Sequence, residues 1–189
     1  VKEGFDIVIG NPPYIDSETM TNSMPEFRKY YKSLYTTAQG NWDMFVIFIE
    51  RGIKLLNNKG CLSFIVPNKL ISAKYANAIR DMLRSNGIGI LRDYGAVSVF
   101  DASVYPCIFL LSKSGMRNNI IFESMRDLTE ILTSKTVDAM VFHKDLFWDK
   151  YFIEADKLNV VLKIAQNELL VKLPVEVSGA ATVSEAYEL

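Results

Sequence analysis

The segment from Phe5 to Tyr14, Phe-Asp-Ile-Val-Ile-Gly-Asn-Pro-Pro-Tyr, constrains the fold more than any other part of the sequence. Residues 5–10 form a short apolar, β-branched run that is typical of a buried strand, and the Asn11-Pro12-Pro13 sequence ends it in a turn. The two prolines fix their φ angles and stiffen that turn. Because ligands of α/β proteins bind beyond the carboxyl ends of the strands, we expect the turn to face a cleft.

The turn holds two hydrogen-bond acceptors in a set geometry. The side-chain oxygen of Asn11 and the main-chain carbonyl of Pro12 can accept both hydrogens of an amino group on a planar base or amide. The nitrogen lone pair would then face a methyl donor, and Tyr14 would offer a flat stacking surface. Catalysis of this kind depends on positioning and electrostatics, without a nucleophilic side chain. The alternative is an ordinary proline-rich turn, but its position directly after residues 5–10 favours the catalytic interpretation.

Apolar runs and helical spacing alternate along the next hundred residues. Helices are predicted over residues 25–35, 41–60 and 68–87, and strands over 61–67, 88–95 and 105–114. This alternation predicts an α/β sheet of the doubly wound, Rossmann-like kind. The last two strands have no helix between them, so we expect an antiparallel pair, because a parallel connection needs about a dozen residues of crossover.

The C-terminal third is less regular. After a turn-rich linker, a strand is predicted over residues 120–125 and a helix over 124–132, where Ser124 and Asp127 form a capping-box pattern. A further helix is predicted over residues 154–170.

Composition and charge narrow the range of functions. The chain has 189 residues, 49% of them hydrophobic, and a formal net charge of −1, so any contact with nucleic acid must be local. Cys61 and Cys107 lie in apolar runs and are expected to be buried thiols, which fits a reducing cytoplasm. With the single His143 they match no metal-ligand spacing, so no metal is expected.

The chain carries no sign of a membrane segment. No apolar run approaches the roughly 18 residues of a membrane span, and no signal peptide opens the chain. The sequence begins without methionine and runs directly into a strand, so we interpret it as a piece of a longer protein.

The order of its motifs resembles the gamma-class N6-adenine DNA methyltransferases of type I and type IIG restriction-modification systems, the Eco57I-like proteins. Residues 5–14 match their catalytic motif, and residues 41–70 look like the helix and strand that follow it. Residues 97–111 look like the loop and strand that carry a second base-stacking aromatic. Residues 175–189 resemble, more weakly, the entry to a target-recognition region.

The resemblance implies roles for individual residues. Asn11 and the Pro12 carbonyl would bind the target amino group, with Pro13 completing the turn, and Tyr14 and Phe100 would stack on an adenine extruded from the duplex. S-adenosylmethionine would be the methyl donor. Double-stranded DNA would be the partner, with a restriction nuclease or specificity subunit, fused or separate, as a further one.

The resemblance also divides the chain. Residues 1–115 would be the C-terminal half of the catalytic domain, a partial Rossmann-like sheet without the cofactor-binding half. Residues 116–172 would be a connector with a strand and helices, and residues 173–189 the truncated start of the target-recognition region. The glycine-rich donor-binding motif and the acidic ribose-binding residue of the family lie upstream of the catalytic turn. This chain does not carry them there, so the fragment alone is expected to be inactive.

Three further candidate sites are weighed against plainer interpretations. Arg28, Lys29 and Lys32 alternate with tyrosines and are candidates for DNA contacts, or else form a solvated helix with an aromatic underside. Asp43 is either the N-cap or a first-turn acid of the next helix, or else a residue that lines the catalytic pocket, as its region does in the family. Phe100 is expected to stack in a loop and, in the alternative, is a core residue.

Asp93 and Asp101 could form a paired-carboxylate site for acid-base chemistry. Nothing in the sequence fixes the two carboxylates together, so solvated loop acids are the expectation.

Other functions share parts of this pattern. Protein-glutamine and ribosomal-RNA methyltransferases also carry Asn-Pro-Pro-Tyr, but they usually end soon after the last sheet strand, whereas residues 115–189 follow it here. Cytosine-N4 methyltransferases more often have Ser at the position of Asn11. A non-catalytic DNA-binding module with a methyltransferase fold is the remaining alternative, and the intact motif argues against it.

Overall fold

The computed structural model describes residues 4–95, 97–101, 104–113, 115, 117–138 and 148–152. By its packing the chain divides into two units, Val1–Ile153 and Glu154–Leu189, and the second lies outside the described residues. The helix predicted over 154–170, the target-recognition segment predicted over 173–189 and His143 therefore lie outside them too. The proposed domain boundaries stay predictions.

A mixed sheet organises the described residues. Its strands are β1 (Phe5–Gly10), β2 (Leu56–Pro67), β3 (Ile88–Asp93), β4 (Pro106–Ser112), β5 (Asn119–Met125) and β6 (Ile131–Asp138). They lie in the order β1-β2-β4-β3-β5-β6. The pairs β1/β2 and β3/β5 are parallel, and β4 runs antiparallel to both of its neighbours, which confirms the predicted antiparallel pair. The carboxyl ends of β1, β2, β3 and β5 therefore lie at one edge of the sheet.

The α-helices of the described residues all follow β1 and precede β3 along the chain. They are α1 (Ser17–Ser23), α2 (Pro25–Leu34), α3 (Phe45–Leu55), α4 (Lys69–Ser72) and α5 (Asn77–Ser85). Short 3-10 helices lie at Lys74–Ala76 and Asp149–Phe152. The helix predicted over 68–87 is broken, because Ala73 has an extended backbone with ψ 134°. Gly87, the predicted last residue of that helix, has a φ of +93° and lies just after the end of α5 at Ser85.

The helix predicted over 41–60 was too long at both ends. The run from Asn57 to Gly60, the last part of that predicted helix, belongs to β2. The Asn57 side chain donates to the Asp6 carboxylate of β1 over 2.7 Å, so pairing with the neighbouring strand stabilises the extended form of this polar run.

The helix predicted over 124–132 was wrong. Residues 126–130 form a turn in which the Asp127 carboxylate accepts hydrogen bonds from the main-chain N–H groups of Thr129 and Glu130, at 2.7 and 2.8 Å. The chain then returns as β6, antiparallel to β5. An acidic side chain that could cap a helix has closed a turn on its own backbone instead.

Two hydrophobic clusters support the site. The larger one lies between the sheet and helices α3 and α5 and contains the fully buried Cys107, as predicted for that thiol, while Cys61 is only half-buried. The smaller cluster lies beside α1 and contains Met20, Ala38, Trp42, Met44 and Ile47. Among the described residues, no helix combines the length and the apolar character needed to cross a membrane.

Candidate active site

The Asn-Pro-Pro-Tyr turn lies at the carboxyl end of β1 and lines an open cleft. The cleft has a volume of about 500 Å³, and its walls are Asn11, Pro12, Pro13, Tyr14, Phe100 and Val104. Asn11 is exposed, whereas Pro12 is buried, so the turn is anchored and its amide is presented to solvent. The structure therefore brings all four motif residues and the predicted second aromatic to one place.

Two aromatic rings form part of the wall of this cleft. The centroids of Tyr14 and Phe100 are 6.1 Å apart and their planes are perpendicular, at 88°. Phe100 lies in the loop between β3 and β4 and is only partly buried, so it is not a core residue. A flat ligand stacked on Tyr14 would thus be perpendicular to the Phe100 ring as it stands.

The Tyr14 hydroxyl points into the protein. Its oxygen is buried and has no hydrogen-bond partner among the described residues. Burial, followed by the proximity of Cys107, raises the pKa of Tyr14 to about 12. The side chain is therefore neutral at physiological pH and offers its ring to the cleft.

A second, smaller cleft adjoins the first and shares Tyr14 and Val104 with it. Its volume is about 270 Å³, and its other walls are Ile15, Asp16, Asp43, Phe45, Pro67, Asn68, Lys69 and Tyr105. Asp43 therefore lines a cleft next to the Asn-Pro-Pro-Tyr turn. The alternative assignment, that Asp43 is the N-cap or a first-turn acid of α3, is wrong, because Met44 occupies the N-cap position and the first turn of α3 has no acidic residue.

Asp43 is hydrogen-bonded on both carboxylate oxygens although only 5% of its surface is exposed. One oxygen accepts from the main-chain N–H of Ser17 at 3.0 Å. The other accepts from the Tyr75 hydroxyl at 2.7 Å and from the Lys69 ammonium at 3.2 Å. The carboxylate thus joins three segments of the chain around the smaller cleft.

Lys69 and Tyr75 were not predicted from the sequence to be site residues. Lys69 follows β2 almost directly, so the rule that ligands bind at carboxyl ends of strands could have identified it. Tyr75 carries no such signal, because its position depends on the break of the predicted helix at Ala73.

Asp93 and Asp101 have different surroundings. Asp93 is partly buried at the end of β3, and burial raises its pKa, although hydrogen bonds from the Gly95 N–H and the Asn68 amide oppose that shift. Asp101 is exposed in the Phe100 loop. The expectation of a solvated loop acid is confirmed for Asp101 and is wrong for Asp93, which ends β3 and is partly buried. Asp93 instead holds the start of that loop.

The three basic candidates on α2 divide into two kinds. Arg28 donates hydrogen bonds to the carbonyls of Gly40 and Trp42, at 3.0 and 3.1 Å, and its guanidinium lies 5.1 Å from the centre of the Trp42 ring. Arg28 therefore secures the loop before α3. Lys29 and Lys32 are exposed. DNA contacts by any of the three stay predictions.

The chain contains a G-x-G sequence, Gly87-Ile88-Gly89, but it is poorly placed for a methyl donor. It lies at the amino end of β3, on the edge of the sheet opposite the cleft. A side chain at Gly89 would meet the Arg117 guanidinium, so that glycine accommodates a neighbouring side chain. Within the described part of the chain, no group of three His, Cys, Asp or Glu side chains is arranged to hold a metal ion.

The outer strand of the sheet is largely uncovered, so the burial predicted for the strand over residues 5–10 is wrong. Phe5, Ile7 and Ile9 alternate along β1 and are 59%, 72% and 79% exposed. Among the described strands, β1 pairs only with β2. A strand with one free edge and three exposed apolar side chains is typical of a surface that packs against further protein.

Comparison with known proteins identifies the family. The family model described as Eco57I restriction-modification methylase matches residues 1–100. The chain is 29% identical over 164 residues to the type II restriction enzyme and methyltransferase RM.Eco57I of Escherichia coli, covering 85% of this chain and 16% of that protein. It is 29% identical over 134 residues to the type II methyltransferase M.BstVI of Geobacillus stearothermophilus, covering 69% of this chain and 23% of that protein. The chain thus spans less than a quarter of these relatives.

Solved structures agree on the fold. The type IIG restriction endonuclease BpuSI superposes with a TM-score of 0.58 at 15% identity, over 86% of this chain and 22% of that one. The type IIL restriction-modification enzyme MmeI, solved in complex with DNA, gives a TM-score of 0.52 at 12% identity, over 70% of this chain and 18% of that one. At such identities the likeness concerns the α/β fold alone, which is the partial Rossmann-like sheet that the sequence predicted. The chain belongs to the Eco57I restriction-modification methylase family.

Proposed function

We propose that this chain is the part of a restriction-modification DNA methyltransferase that holds the target base while a methyl group passes from S-adenosylmethionine to N6 of adenine. The observation that carries the proposal is the common cleft of the exposed Asn11, the buried Pro12 and the two aromatic rings. Acceptors for an amino group and surfaces for a flat ring meet there, which is the combination that such a reaction needs.

The role of the turn is to prepare the amino nitrogen. The adenine N6 lone pair is delocalised into the ring, so it is a weak nucleophile in solution. When Asn11 and the Pro12 carbonyl accept the two N6 hydrogens, they fix the amino group and direct its lone pair out of the base plane. The cofactor supplies a methyl group on a positively charged sulfur. As the N–C bond forms and the C–S bond breaks, positive charge develops on N6, and the two oxygens stabilise it until a proton leaves to solvent.

The aromatic pair favours a nucleobase over an amide side chain. A glutamine amide has no ring to stack, whereas stacking of a base on an aromatic contributes about 1–3 kcal/mol. A base lying flat on Tyr14 would meet Phe100 edge to face in the present arrangement, and stacking on both rings requires Phe100 to turn. Asn11, rather than Ser, favours adenine over cytosine as the base.

Duplex DNA is the proposed substrate. A base can reach this cleft only after it leaves the stack. The net charge of −1 requires local phosphate contacts, and the exposed Lys29 and Lys32 on α2 are the candidates that follow the turn most closely. A cytoplasmic location is part of the proposal, because the DNA substrate is inside the cell and because the two cysteines fit a reducing compartment.

The residues present fit the acceptor side of the reaction and leave the donor side to another part of the protein. The free edge of β1 and its exposed Phe5, Ile7 and Ile9 suit the packing of a further half-sheet. We propose that this half carries the donor site, so that the isolated chain neither binds S-adenosylmethionine firmly nor methylates DNA. A nuclease or specificity subunit, fused as the name of RM.Eco57I suggests for that protein or separate, is a further proposed partner.

The test is the product of the full-length protein. Plasmid DNA is incubated with the protein and radiolabelled S-adenosylmethionine, digested to nucleosides and analysed by mass spectrometry. N6-methyladenine is expected. N4-methylcytosine would overturn the assignment of adenine as the base, and DNA without label would overturn the proposal.

A further inference from the structure

We propose that Asp43, with Lys69 and Tyr75, is a positioning residue that fixes the catalytic turn at the distance and angle needed for methyl transfer. The proposal rests on the proposed function and adds residues that do not touch the base.

The chain that leaves the catalytic turn is held at two points by the start of α3. The Met44 N–H donates to the Ile15 carbonyl at 2.9 Å, and the Ser17 N–H donates to the Asp43 carboxylate at 3.0 Å. These contacts flank Asp16 and begin one residue after Tyr14. The segment cannot shift without breaking a hydrogen bond to Asp43 or Met44.

The same carboxylate reaches across to the connection that follows β2. Its second oxygen accepts from the Tyr75 hydroxyl at 2.7 Å and from the Lys69 ammonium at 3.2 Å. Since β1 and β2 are neighbouring parallel strands, Asp43 ties together the chain segments at their carboxyl ends. Those segments form the walls of the smaller cleft, which shares Tyr14 and Val104 with the larger cleft of the Asn-Pro-Pro-Tyr turn. A displacement of the segments around the smaller cleft would therefore also displace Tyr14 in the larger one.

The network needs a carboxylate. The Ser17 N–H, the Tyr75 hydroxyl and the Lys69 ammonium all donate to it, and an ionised carboxyl group is acceptor-only. An asparagine at position 43 would turn one of its own N–H groups toward a donor, because an amide has a single acceptor oxygen. At least one hydrogen bond would be lost in a site that is nearly closed to water.

The chain offers a matched control on α3, the helix that begins just after Asp43. Glu50 of α3 is fully buried, and its carboxylate accepts from the main-chain N–H and the hydroxyl of Thr37 at 2.9 and 2.6 Å, and from the ammonium of Lys54. Glu50 is therefore also a buried carboxylate that joins a loop and a lysine. It lines neither cleft. A purely structural role would make Glu50 and Asp43 equivalent in their effect on turnover.

The experiment compares Asp43→Asn with Glu50→Gln in the full-length protein. Four quantities are measured at equal folded fraction: Tm, the Kd for DNA, kcat, and the fluorescence of 2-aminopurine at the target position. Both variants are expected to lower Tm. Asp43→Asn alone is expected to lower kcat, by roughly 30- to 100-fold, since a displacement of about 1 Å has that effect on a positioned reaction. Its Kd for DNA should stay within about 3-fold of the wild type, while the 2-aminopurine signal changes.

Equal kcat values for Asp43→Asn and Glu50→Gln would overturn the proposal. If Asp43→Asn does not fold, Tyr75→Phe removes a single donor and keeps the carboxylate, and it is expected to lower kcat by roughly 3- to 10-fold with KM for DNA unchanged. A wild-type kcat in Tyr75→Phe would overturn the network as well. Failure of the proposed function is seen separately, as a wild-type protein that does not methylate DNA.

Discussion

Phe100 stands perpendicular to Tyr14 in the wall of the larger cleft, with the ring centroids 6.1 Å apart. The two rings belong to separate elements, the turn after β1 and the loop between β3 and β4. A flat ligand in the cleft can therefore contact two separate parts of the chain, whose relative position the sheet fixes. The contribution of each ring to ligand binding can be measured with a single substitution.

Removal of the Phe100 ring should weaken the capture of an extruded base. Phe100→Ala is expected to lower the 2-aminopurine fluorescence change and to reduce kcat/KM by roughly 5- to 100-fold, because base stacking on an aromatic contributes about 1–3 kcal/mol. The matched control is Phe48→Ala, an aromatic on α3 that is 40% exposed and lines neither cleft. An unchanged fluorescence signal in Phe100→Ala would count against stacking.

The hydroxyl of Tyr14 should be dispensable although its ring is not. It is buried without a partner among the described residues, so Tyr14→Phe is expected to keep kcat within about 3-fold at neutral pH, whereas Tyr14→Ala loses stacking. A large loss of turnover in Tyr14→Phe would mean that the hydroxyl takes part in the reaction.

The pH dependence of stability at alkaline pH tests independently whether the Tyr14 hydroxyl is buried. Its pKa of about 12 in the folded chain exceeds the usual value of 10.0, so the folded state holds this proton more tightly than the unfolded state. The resulting stability is present below about pH 10 and is lost as the pH rises toward 12. The free energy of unfolding of wild type, compared with Tyr14→Phe, should therefore fall between about pH 10 and 12. A difference that does not vary with pH would contradict the buried hydroxyl.

Lys29 and Lys32 should contribute to DNA affinity through phosphate contacts. Each substitution to Ala is expected to lower the slope of log Kd against log salt concentration by about 1, with little change in kcat. Lys59→Ala is the control, because this exposed lysine lies in the first part of β2, toward the sheet edge opposite the cleft. Arg28→Ala should instead lower Tm, since it removes the hydrogen bonds to the Gly40 and Trp42 carbonyls. An unchanged salt slope in both lysine variants would exclude them as phosphate contacts.

Local signals in the sequence were enough to locate the Asn-Pro-Pro-Tyr turn. The apolar run of β1 and the two prolines after Asn11 act within ten residues of one another, so strand and turn follow from local rules. The burial expected for the strand was wrong, because burial depends on what packs against β1 and not on its own sequence. The antiparallel pair of β3 and β4 was predictable for a similar reason, because the connection is too short for a parallel crossover. The position of Phe100 beside Tyr14 came from the order of motifs in the family and not from spacing.

Other features depend on contacts between distant residues. Tyr75 reaches Asp43 only because the helix breaks at Ala73, and nothing in the local pattern predicts that break. The start of β2 was interpreted as a helix end, because the contact that stabilises its polar run as a strand is not local. That contact is the cross-strand hydrogen bond from Asn57 to Asp6. Asp127 matched a helix cap and closed a turn instead, since its side chain can serve either structure.

The central claim, that Asn11 holds the amino group of the target base, is tested most directly by methyl transfer in a single turnover. Asn11→Ala in the full-length protein removes one of the two proposed acceptors. The expected result is a loss of about 100-fold or more in the rate of transfer, with the Kd for DNA within about 5-fold of the wild type. Asn58→Ala, an exposed amide in the first part of β2, serves as the control and should react at the wild-type rate. Transfer by Asn11→Ala at the wild-type rate would contradict the account.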